Sequence, residues 1–226
     1  MRRYIFPLIL GLGGCAILIS LGVWQIKRLA WKEALLAAID AKIHDAPVPI
    51  AGLGAPDPAG ARYLPVTATG RTTGPEILVL SGRKDQGAGY EVISAFETAE
   101  GRKLLVDRGF VAEEARSSPR PPVALTITGN LDWPNETDSY TPPPDPTTHI
   151  WFARDVPAMA KALGTDPLMV VIRKADGESP SIVPVPVDTA GIPNDHFEYA
   201  LTWFSLAFVW AGMTAYLVWR IRQRTV

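Results

Sequence analysis

The 226-residue chain has a single cysteine, Cys15, and only three histidines. One thiol excludes an internal disulfide and a Cys-x-x-Cys metal or redox site within this sequence. Lysine and arginine number 22 and aspartate and glutamate 23, so the formal net charge is −1. This balance attracts no polyanion, and we expect no nucleic-acid partner.

Motifs of the common enzyme classes are also missing. The sequence has no phosphate-binding G-x-x-x-x-G-K-[ST] loop, no G-x-S-x-G nucleophile and no H-E-x-x-H metal motif. A site built from all three histidines would need His44, His149 and His196 to converge. We therefore expect a protein that is not an enzyme, and we keep an anchored extracytoplasmic enzyme as the weakest of the alternatives.

Two long apolar runs dominate the sequence. Tyr4–Trp24 and Tyr199–Trp219 each extend over 21 residues without Asp, Glu, Lys or Arg. At about 1.5 Å per residue, either run would cross a hydrocarbon core of roughly 30 Å as a helix. A cleaved signal peptide is the alternative for the first run, but its apolar stretch is longer than usual and no A-x-A site follows it. We therefore expect an uncleaved anchor.

Basic residues next to both chain ends set the expected orientation. Arg2 and Arg3 precede the first run, and Arg220, Arg222 and Arg224 follow the second. The positive-inside bias then places both termini in the cytoplasm and the segment between the runs outside it. Lys27, Arg28 and Lys32 lie on the opposite side of the first run and weigh against this orientation.

The segment between the runs contains many short strand patterns and turn residues. Such spacing predicts a β-rich α+β domain with an antiparallel sheet or a partly open barrel. The residues from Asp155 to Gly164 predict one short helix. The predicted strands are Tyr63–Thr69, Glu76–Leu80, Tyr90–Phe96, Lys103–Phe110, Leu125–Leu131, Leu168–Arg173 and Ser181–Val187. The predicted division is 1–25 first transmembrane helix, 26–46 helical extension, 47–197 β-rich domain, 198–220 second transmembrane helix and 221–226 cytoplasmic tail.

The second run offers one candidate ligand. His196 precedes it by three residues and begins a helical face that also carries Tyr199, Trp203, Trp210 and Met213. A neutral imidazole is a good axial ligand for haem iron, and aromatic side chains can flank a flat macrocycle. The alternative is an interfacial histidine that bonds a lipid headgroup or the backbone. Another face carries a row of small residues suited to helix packing, Ala207, Ala211 and Ala215.

The arginines allow two interpretations. Arg108 lies in a strand pattern, and its guanidinium could bind a carboxylate such as a haem propionate. A structural ion pair is the alternative, and it is the commoner role. Arg28, on the helix that leaves the first run, could contact lipid phosphates instead.

Two motifs beside the apolar runs resemble a known family. Leu21-Gly-Val-Trp-Gln-Ile-Lys-Arg-Leu-Ala-Trp-Lys32 is similar to the membrane-exit motif of the Surfeit-locus (Shy-type) cytochrome c oxidase assembly factors. Asn194-Asp-His-Phe-Glu-Tyr-Ala-Leu-Thr-Trp-Phe204 resembles that family's entry into its second membrane span. Leu105–Val111 is similar to the family's arginine–glycine–aromatic strand. The resemblance covers about residues 10–220.

The resemblance implies a two-span protein of the bacterial inner membrane whose central domain faces the periplasm. It implies that the protein binds haem a as transient cargo and assists its insertion into the catalytic subunit of cytochrome c oxidase. Membrane lipid is also an expected partner, as is a haem a synthase. His196 matches the family's histidine and is the expected ligand of the haem iron.

Around the expected iron ligand, Trp203 and Trp24 would form an apolar wall, and Arg28 or Arg108 would hold a propionate. Tyr199 is a further expected haem-binding residue. The alternative function is a cofactor-free membrane scaffold that holds the oxidase subunit during assembly.

Overall fold

The computed structural model describes residues 2–134, 136–145 and 147–223. Two of its helices are long and apolar enough to cross a membrane: α1, Arg2–Ile43, and α4, His196–Gln223. They flank a β-rich domain, which confirms the predicted fold class. Arg224, which entered the orientation argument, and the end of the predicted cytoplasmic tail lie outside the described residues.

The chain divides into two compact units. One consists of Met1–Ala38 and Thr189–Val226, and the other of Ile39–Asp188. The second unit holds short helices α2, Pro58–Ala61, and α3, Val156–Leu163. Its strands are β1 Val48–Pro49, β2 Pro65–Arg83, β3 Gly87–Thr98, β4 Lys103–Ala112, β5 Ala124–Asp132, β6 Ile150–Trp151 and β7 Met169–Asp176.

Five of the strands in the described part of the chain form a closed barrel, in the order β2, β3, β4, β7, β5 and back to β2. All neighbours are antiparallel except β4 and β7, which are parallel. The sheet is therefore mixed, and the barrel closes fully instead of remaining partly open. Closure leaves these strands without the unpaired edges that an open sheet exposes.

Closure depends on the length of β2. The sequence predicted two strands here, Tyr63–Thr69 and Glu76–Leu80. The structure has one 19-residue strand with an irregularity between Thr72 and Glu76. Residues 65–71 pair with β5 and residues 70–83 pair with β3, so the two pairings overlap at residues 70 and 71.

Alternating side chains of the barrel strands contribute to three apolar clusters among the described residues, of which two are large. The first core contains Phe96, Leu104, Val106, Ile127 and Val170, all of which are fully buried. The second lies on the other face of the same strands, where Ile93, Leu105, Met169 and Val171 pack with helix α3.

Local sequence signals explain α3. The Asp155 carboxylate caps the helix by accepting a hydrogen bond of 3.0 Å from the Ala158 amide. Gly164 ends it in the left-handed conformation, with φ of 67°. The predicted helix and the predicted hairpin, now β3 and β4, are both confirmed.

Two other local predictions are wrong or incomplete. Ser181–Val187 forms no strand in this described segment; only Val183 makes a single bridge, to Phe110. Helix α1 does continue to Ile43, as predicted. Its last carbonyl, that of Ile43, accepts hydrogen bonds from Asn130 at 2.9 Å and Arg173 at 3.1 Å, so barrel side chains cap this helix end.

Candidate functional site

Glycines of α1 form the contact face between the two long helices. Gly11 lies against Thr214, Gly14 lies against the Trp210 indole, and at each glycine a Cβ atom would clash with that neighbour. A Cβ at Gly22 would lie 2.7 Å from Phe204 Cε1. Positions along α1 thus meet positions in reverse order along α4, so the helices are antiparallel and their backbones approach closely.

The small-residue row predicted on α4 is only partly at this contact. Ala207 is buried, and its carbonyl lies 3.8 Å from Cys15 Sγ, whereas Ala211 and Ala215 are exposed. A larger side chain of α4, the Trp210 indole, instead packs directly against Gly14, in the space that any side chain at that position would fill. Trp210 Nε1 also donates a hydrogen bond of 3.4 Å to the carbonyl of Leu10.

A polar pair lies at one end of this contact face. His196 is the first residue of α4, and its side chain is half-buried. Its Nδ1 is 2.8 Å from Oε1 of Gln25 on α1. Gln25 is only 8% exposed, although its neighbours Trp24 and Ile26 on the same helix are exposed. These two side chains thus form a hydrogen bond with each other where the helices meet.

The other predicted site residues of the long helices differ in their exposure. Trp203 is half-buried, and Tyr199 and Trp24 are more than half exposed. The Arg28 guanidinium stacks on the Trp31 ring at 3.9 Å from its centroid. Arg28 forms no ion pair with any residue that the structure describes.

An apolar groove of about 450 Å³ runs beside the glycine contact. Gly14, Ile17 and Leu18 line it on α1, and Leu206, Val209, Trp210 and Met213 line it on α4. The single indole N–H in this lining is the one already bonded to Leu10. The groove therefore suits hydrocarbon and not a polar ligand.

Arg108 has a different environment from Arg28. It lies on β4, is 3% exposed, and donates two hydrogen bonds to the Glu178 carboxylate, at 2.8 and 2.6 Å. Its third nitrogen is 3.5 Å from Ser94 Oγ. This is the structural ion pair that the sequence left open as the alternative to a propionate site.

A second charge cluster, which is only partly buried, centres on Arg154. Its Nη1 lies 3.1 Å from Asp107 and 3.2 Å from Glu91, and its Nε donates to Glu136 at 2.9 Å. Burial, together with the nearby Glu91 charge, raises the pKa of Asp107 to about 7, against the opposing effect of Arg154 and of the Gly109 amide. Burial alone would also raise the pKa of Glu136, but hydrogen bonds from Arg154 outweigh burial and lower it.

A metal site from protein ligands does not form among the described residues, since they contain no group of three or more His, Cys, Asp or Glu side chains suited to an ion. His44 bonds through Nδ1 to the Asp40 carbonyl at 2.9 Å, which is a local structural role. Of the three histidines, His196 is the one whose ring bonds a side chain of another helix.

Sequence reasoning missed Gln25 as a site residue, although the residue stood inside a quoted motif. The signal was its position on the glycine face of α1. Gly11, Gly14, Leu18 and Gly22 recur every three or four residues, and Gln25 continues the series as its polar member. A polar residue on a helix-contact face of an apolar span indicates a specific partner.

Comparisons with known proteins agree with the quoted motifs. Residues 12–208 match the sequence model of the SURF1 family. A SURF1-like protein of Rickettsia conorii is 30% identical over 225 residues, which cover 93% of this chain and 89% of that protein. Surfeit locus protein 1 of Rattus norvegicus is 27% identical over 229 residues, 89% of this chain and 71% of the rat protein. A SURF1-like protein of Drosophila melanogaster is 27% identical over 219 residues, 84% and 72% of the two chains.

Proposed function

Because the chain belongs to the SURF1 family, we propose that it is an assembly factor for haem–copper (cytochrome c) oxidase. In this proposal it binds haem a and assists its insertion into the catalytic subunit. The two membrane-flanking motifs support it, since they resemble those of oxidase assembly factors. No bond is made or broken by a carrier, so the proposed protein is not an enzyme.

The observation that carries the haem proposal is the state of His196. Its imidazole is half-buried at the start of an apolar helix, and only Nδ1 is engaged, by Gln25. Among the described residues, none forms a hydrogen bond with Nε2. An imidazole nitrogen without a protein partner, next to aromatic side chains, fits the donor that haem iron requires.

Helix periodicity places the other proposed contacts on one side of the helix pair. At about 100° per residue, Arg28 is offset by roughly 60° from Gln25, and Tyr199 by roughly 60° from His196. Because the helices are antiparallel, both offsets fall on the same side. Haem a bound there would meet Tyr199, Trp203 and Trp24 as apolar wall, and a propionate would meet Arg28.

Arg108 is not part of the haem site in this proposal. Its guanidinium is buried and already holds the Glu178 carboxylate. A propionate would have to displace that carboxylate and leave it buried without a counter-charge, which costs several kcal/mol. Arg28 has no such competing ion pair among the described residues.

The proposed location is the bacterial inner membrane. Both termini would lie in the cytoplasm and the barrel in the periplasm, as the basic residues at both chain ends indicate. The expected partners are the oxidase catalytic subunit, a haem a synthase and membrane lipid. Haem a is amphipathic and would reach His196 from within the bilayer.

The test is an optical spectrum and pyridine haemochrome of the detergent-purified full chain, produced in a host that synthesises haem a. We expect haem a in the wild type and its loss from a folded His196→Ala variant. His44→Ala is the matched control, since it also removes a histidine whose Nδ1 is bonded, and it should retain haem.

Other results of this experiment would change the proposal. Absence of haem from the wild type and both variants would overturn the carrier proposal and favour the cofactor-free scaffold. Haem retained by His196→Ala would preserve haem binding but reject His196 as the ligand. Haem lost from both histidine variants would indicate a loss of structure, which circular dichroism would reveal.

A further inference from the structure

Gln25 is an unusual side chain for its position. It is nearly buried on the face of α1 that contacts α4, within a helix of otherwise apolar contact residues. Burying an amide without a hydrogen bond costs several kcal/mol in an apolar environment. The cost is offset by one side-chain contact across the helix pair, Gln25 Oε1 to His196 Nδ1 at 2.8 Å.

The chemistry of this contact fixes where the imidazole proton lies. An amide oxygen can only accept a hydrogen bond, so Nδ1 of His196 must donate it. A neutral imidazole has one N–H, and its other nitrogen then carries a lone pair. Gln25 therefore selects the Nδ1–H tautomer and leaves Nε2 as the ligand nitrogen.

We propose that Gln25 is the positioning residue of the haem-iron ligand: it orients the His196 ring from the neighbouring helix and directs the Nε2 lone pair to the metal. This inference rests on the proposed function. It extends that function because it names which nitrogen binds and which residue on α1 prepares it.

The residues next to Gln25 and His196 are closely packed between the two helices. Three residues before Gln25, Gly22 lies directly against the Phe204 ring, and a Cβ there would be 2.7 Å from Cε1. Four residues after His196, Ala200 is fully buried. The close helix approach thus brings the amide and the imidazole within hydrogen-bond distance of each other.

An amide rather than a carboxylate in this position suits a carrier. Metal-bound histidines commonly donate their second N–H to a carboxylate or a carbonyl, which orients the ring and raises its basicity. An uncharged amide oxygen orients the ring equally well but donates less electron density than a carboxylate. The resulting iron bond is weaker, which favours release of the cargo.

The first test reads the tautomer in the haem-free full chain in detergent, with ¹⁵N-labelled histidine and long-range ¹H–¹⁵N correlation at a pH where imidazole is neutral. We expect Nδ1–H for His196 in the wild type. Gln25→Leu removes the acceptor, and the signal should move toward the Nε2–H tautomer preferred by free histidine. Gln25→Glu retains an acceptor oxygen and should retain Nδ1–H.

His44 is an internal control in the same spectra. Its Nδ1 also faces an acceptor that cannot donate, the Asp40 carbonyl at 2.9 Å, and should stay Nδ1–H in every variant. Gln25→Asn keeps the amide but withdraws it by one methylene, so its His196 signal should shift as in Gln25→Leu. His196→Ala assigns the signal by removing it.

The second test measures haem a affinity and the midpoint potential of the bound haem. Gln25→Leu should weaken binding about tenfold, the lower end of the usual effect of removing a partner of a metal ligand. Gln25→Glu should bind haem a more tightly and lower its midpoint potential, because a carboxylate makes the imidazole a stronger donor.

The outcomes separate this inference from the proposed function. An Nε2–H tautomer in the wild type, or unchanged affinity and potential in Gln25→Leu and Gln25→Glu, would overturn the positioning role while haem binding stood. A wild type that binds no haem would overturn the proposed function and the ligand role, and the tautomer would still report whether Gln25 selects Nδ1–H.

Discussion

Arginines of the two compact units, Arg108 and Arg154 in one and Arg28 in the other, have opposite environments. In the barrel, Arg108 is buried and bonded to Glu178, and Arg154 is bonded to three carboxylates. In the helix pair, Arg28 is exposed and stacks on an indole without an ion pair among the described residues. Arg108 and Arg154 are thus engaged by carboxylates of their own unit, whereas Arg28 has no carboxylate partner among the described residues.

The other polar side chains of the barrel and of the helix pair also differ in how far they are bonded within their own unit. The barrel satisfies its buried charges internally, which fixes a single packing. The helix pair is held by close backbone contact at glycines. The hydrogen bond between the Gln25 and His196 side chains leaves Nε2 of the histidine without a partner among the described residues. Function is therefore expected at the helix pair, and stability effects in the barrel.

The largest expected effect is loss of stability on Arg108→Met. The substitution leaves the nearly buried Glu178 carboxylate without its partner, which should lower the unfolding free energy by about 3–5 kcal/mol. Denaturant unfolding of the full chain in detergent measures it. Arg83→Met, which removes an exposed pair with Asp85, is the control and should leave stability unchanged.

The haem content of Arg108→Met tests whether Arg108 has a structural role only. Folded Arg108→Met should carry as much haem a as the wild type. Loss of haem with unchanged stability would restore Arg108 as a propionate partner and contradict the division between the units.

The next effect is a pH dependence that belongs to the barrel. The folded pKa of Asp107 is raised from 3.8 to about 7, so its stabilising contribution is present at low pH and is lost as pH rises toward 7. Between about pH 5 and about pH 8, wild-type stability should fall relative to Asp107→Asn by on the order of 2–3 kcal/mol. Chemical unfolding across that range measures the difference.

Glu91→Gln tests why the pKa of Asp107 is raised. It removes the negative charge that helps raise the pKa of Asp107, so the loss of stability should become smaller. The lowered pKa of Glu136 has the opposite sign and acts below about 4.5, outside the measured range. A flat difference between wild type and Asp107→Asn would mean that Asp107 is already ionised in the fold.

A smaller effect is expected in the helix pair from Gly14→Ala. The added methyl meets the Trp210 indole and should destabilise the helix contact by about 1–2 kcal/mol. Gly13→Ala is the matched control, because a Cβ there has nothing within 4 Å. Thermal unfolding in detergent compares them, and Trp210→Leu should relieve the clash in a double variant. Equal effects of the two glycine substitutions would contradict this contact.

Local signals account for what the sequence predicted correctly. The apolar runs, the Asp155 cap with Gly164, and the β3–β4 hairpin each lie within a short stretch of chain. Barrel closure depends on pairing between β2 and β5, about 60 residues apart in sequence, and on a strand that continues through Gly70 and Gly74. Side-chain propensity at those glycines cannot reveal pairing with a distant strand.

In the candidate site, too, the sequence predicted the features that depend on one stretch of chain and not those that depend on distant partners. His196 and its aromatic neighbours follow from position on one helix, and the family resemblance adds the ligand chemistry. Gln25 required knowledge of which faces of α1 and α4 meet, and Arg108 required its partner Glu178, which lies 70 positions away. The glycine periodicity marks the contact face on which Gln25 lies, but its partner on α4, like the partner of Arg108, depends on tertiary packing that no local pattern encodes.

The smallest expected effect is a loss of haem a affinity when Arg28 of the helix pair is replaced. Under the proposed function, Arg28→Gln removes an exposed cation from a haem propionate, a contact worth at most about 1 kcal/mol. Haem a affinity, measured by titration of the full chain, should fall about two- to fivefold and the loss should diminish at high salt. Lys27→Gln, an exposed neighbour of like charge on another face of α1, should leave affinity unchanged. Equal losses from both would reduce Arg28 to a general electrostatic contribution, whereas a loss confined to Arg28 would identify the side chain that the structure leaves free for a ligand.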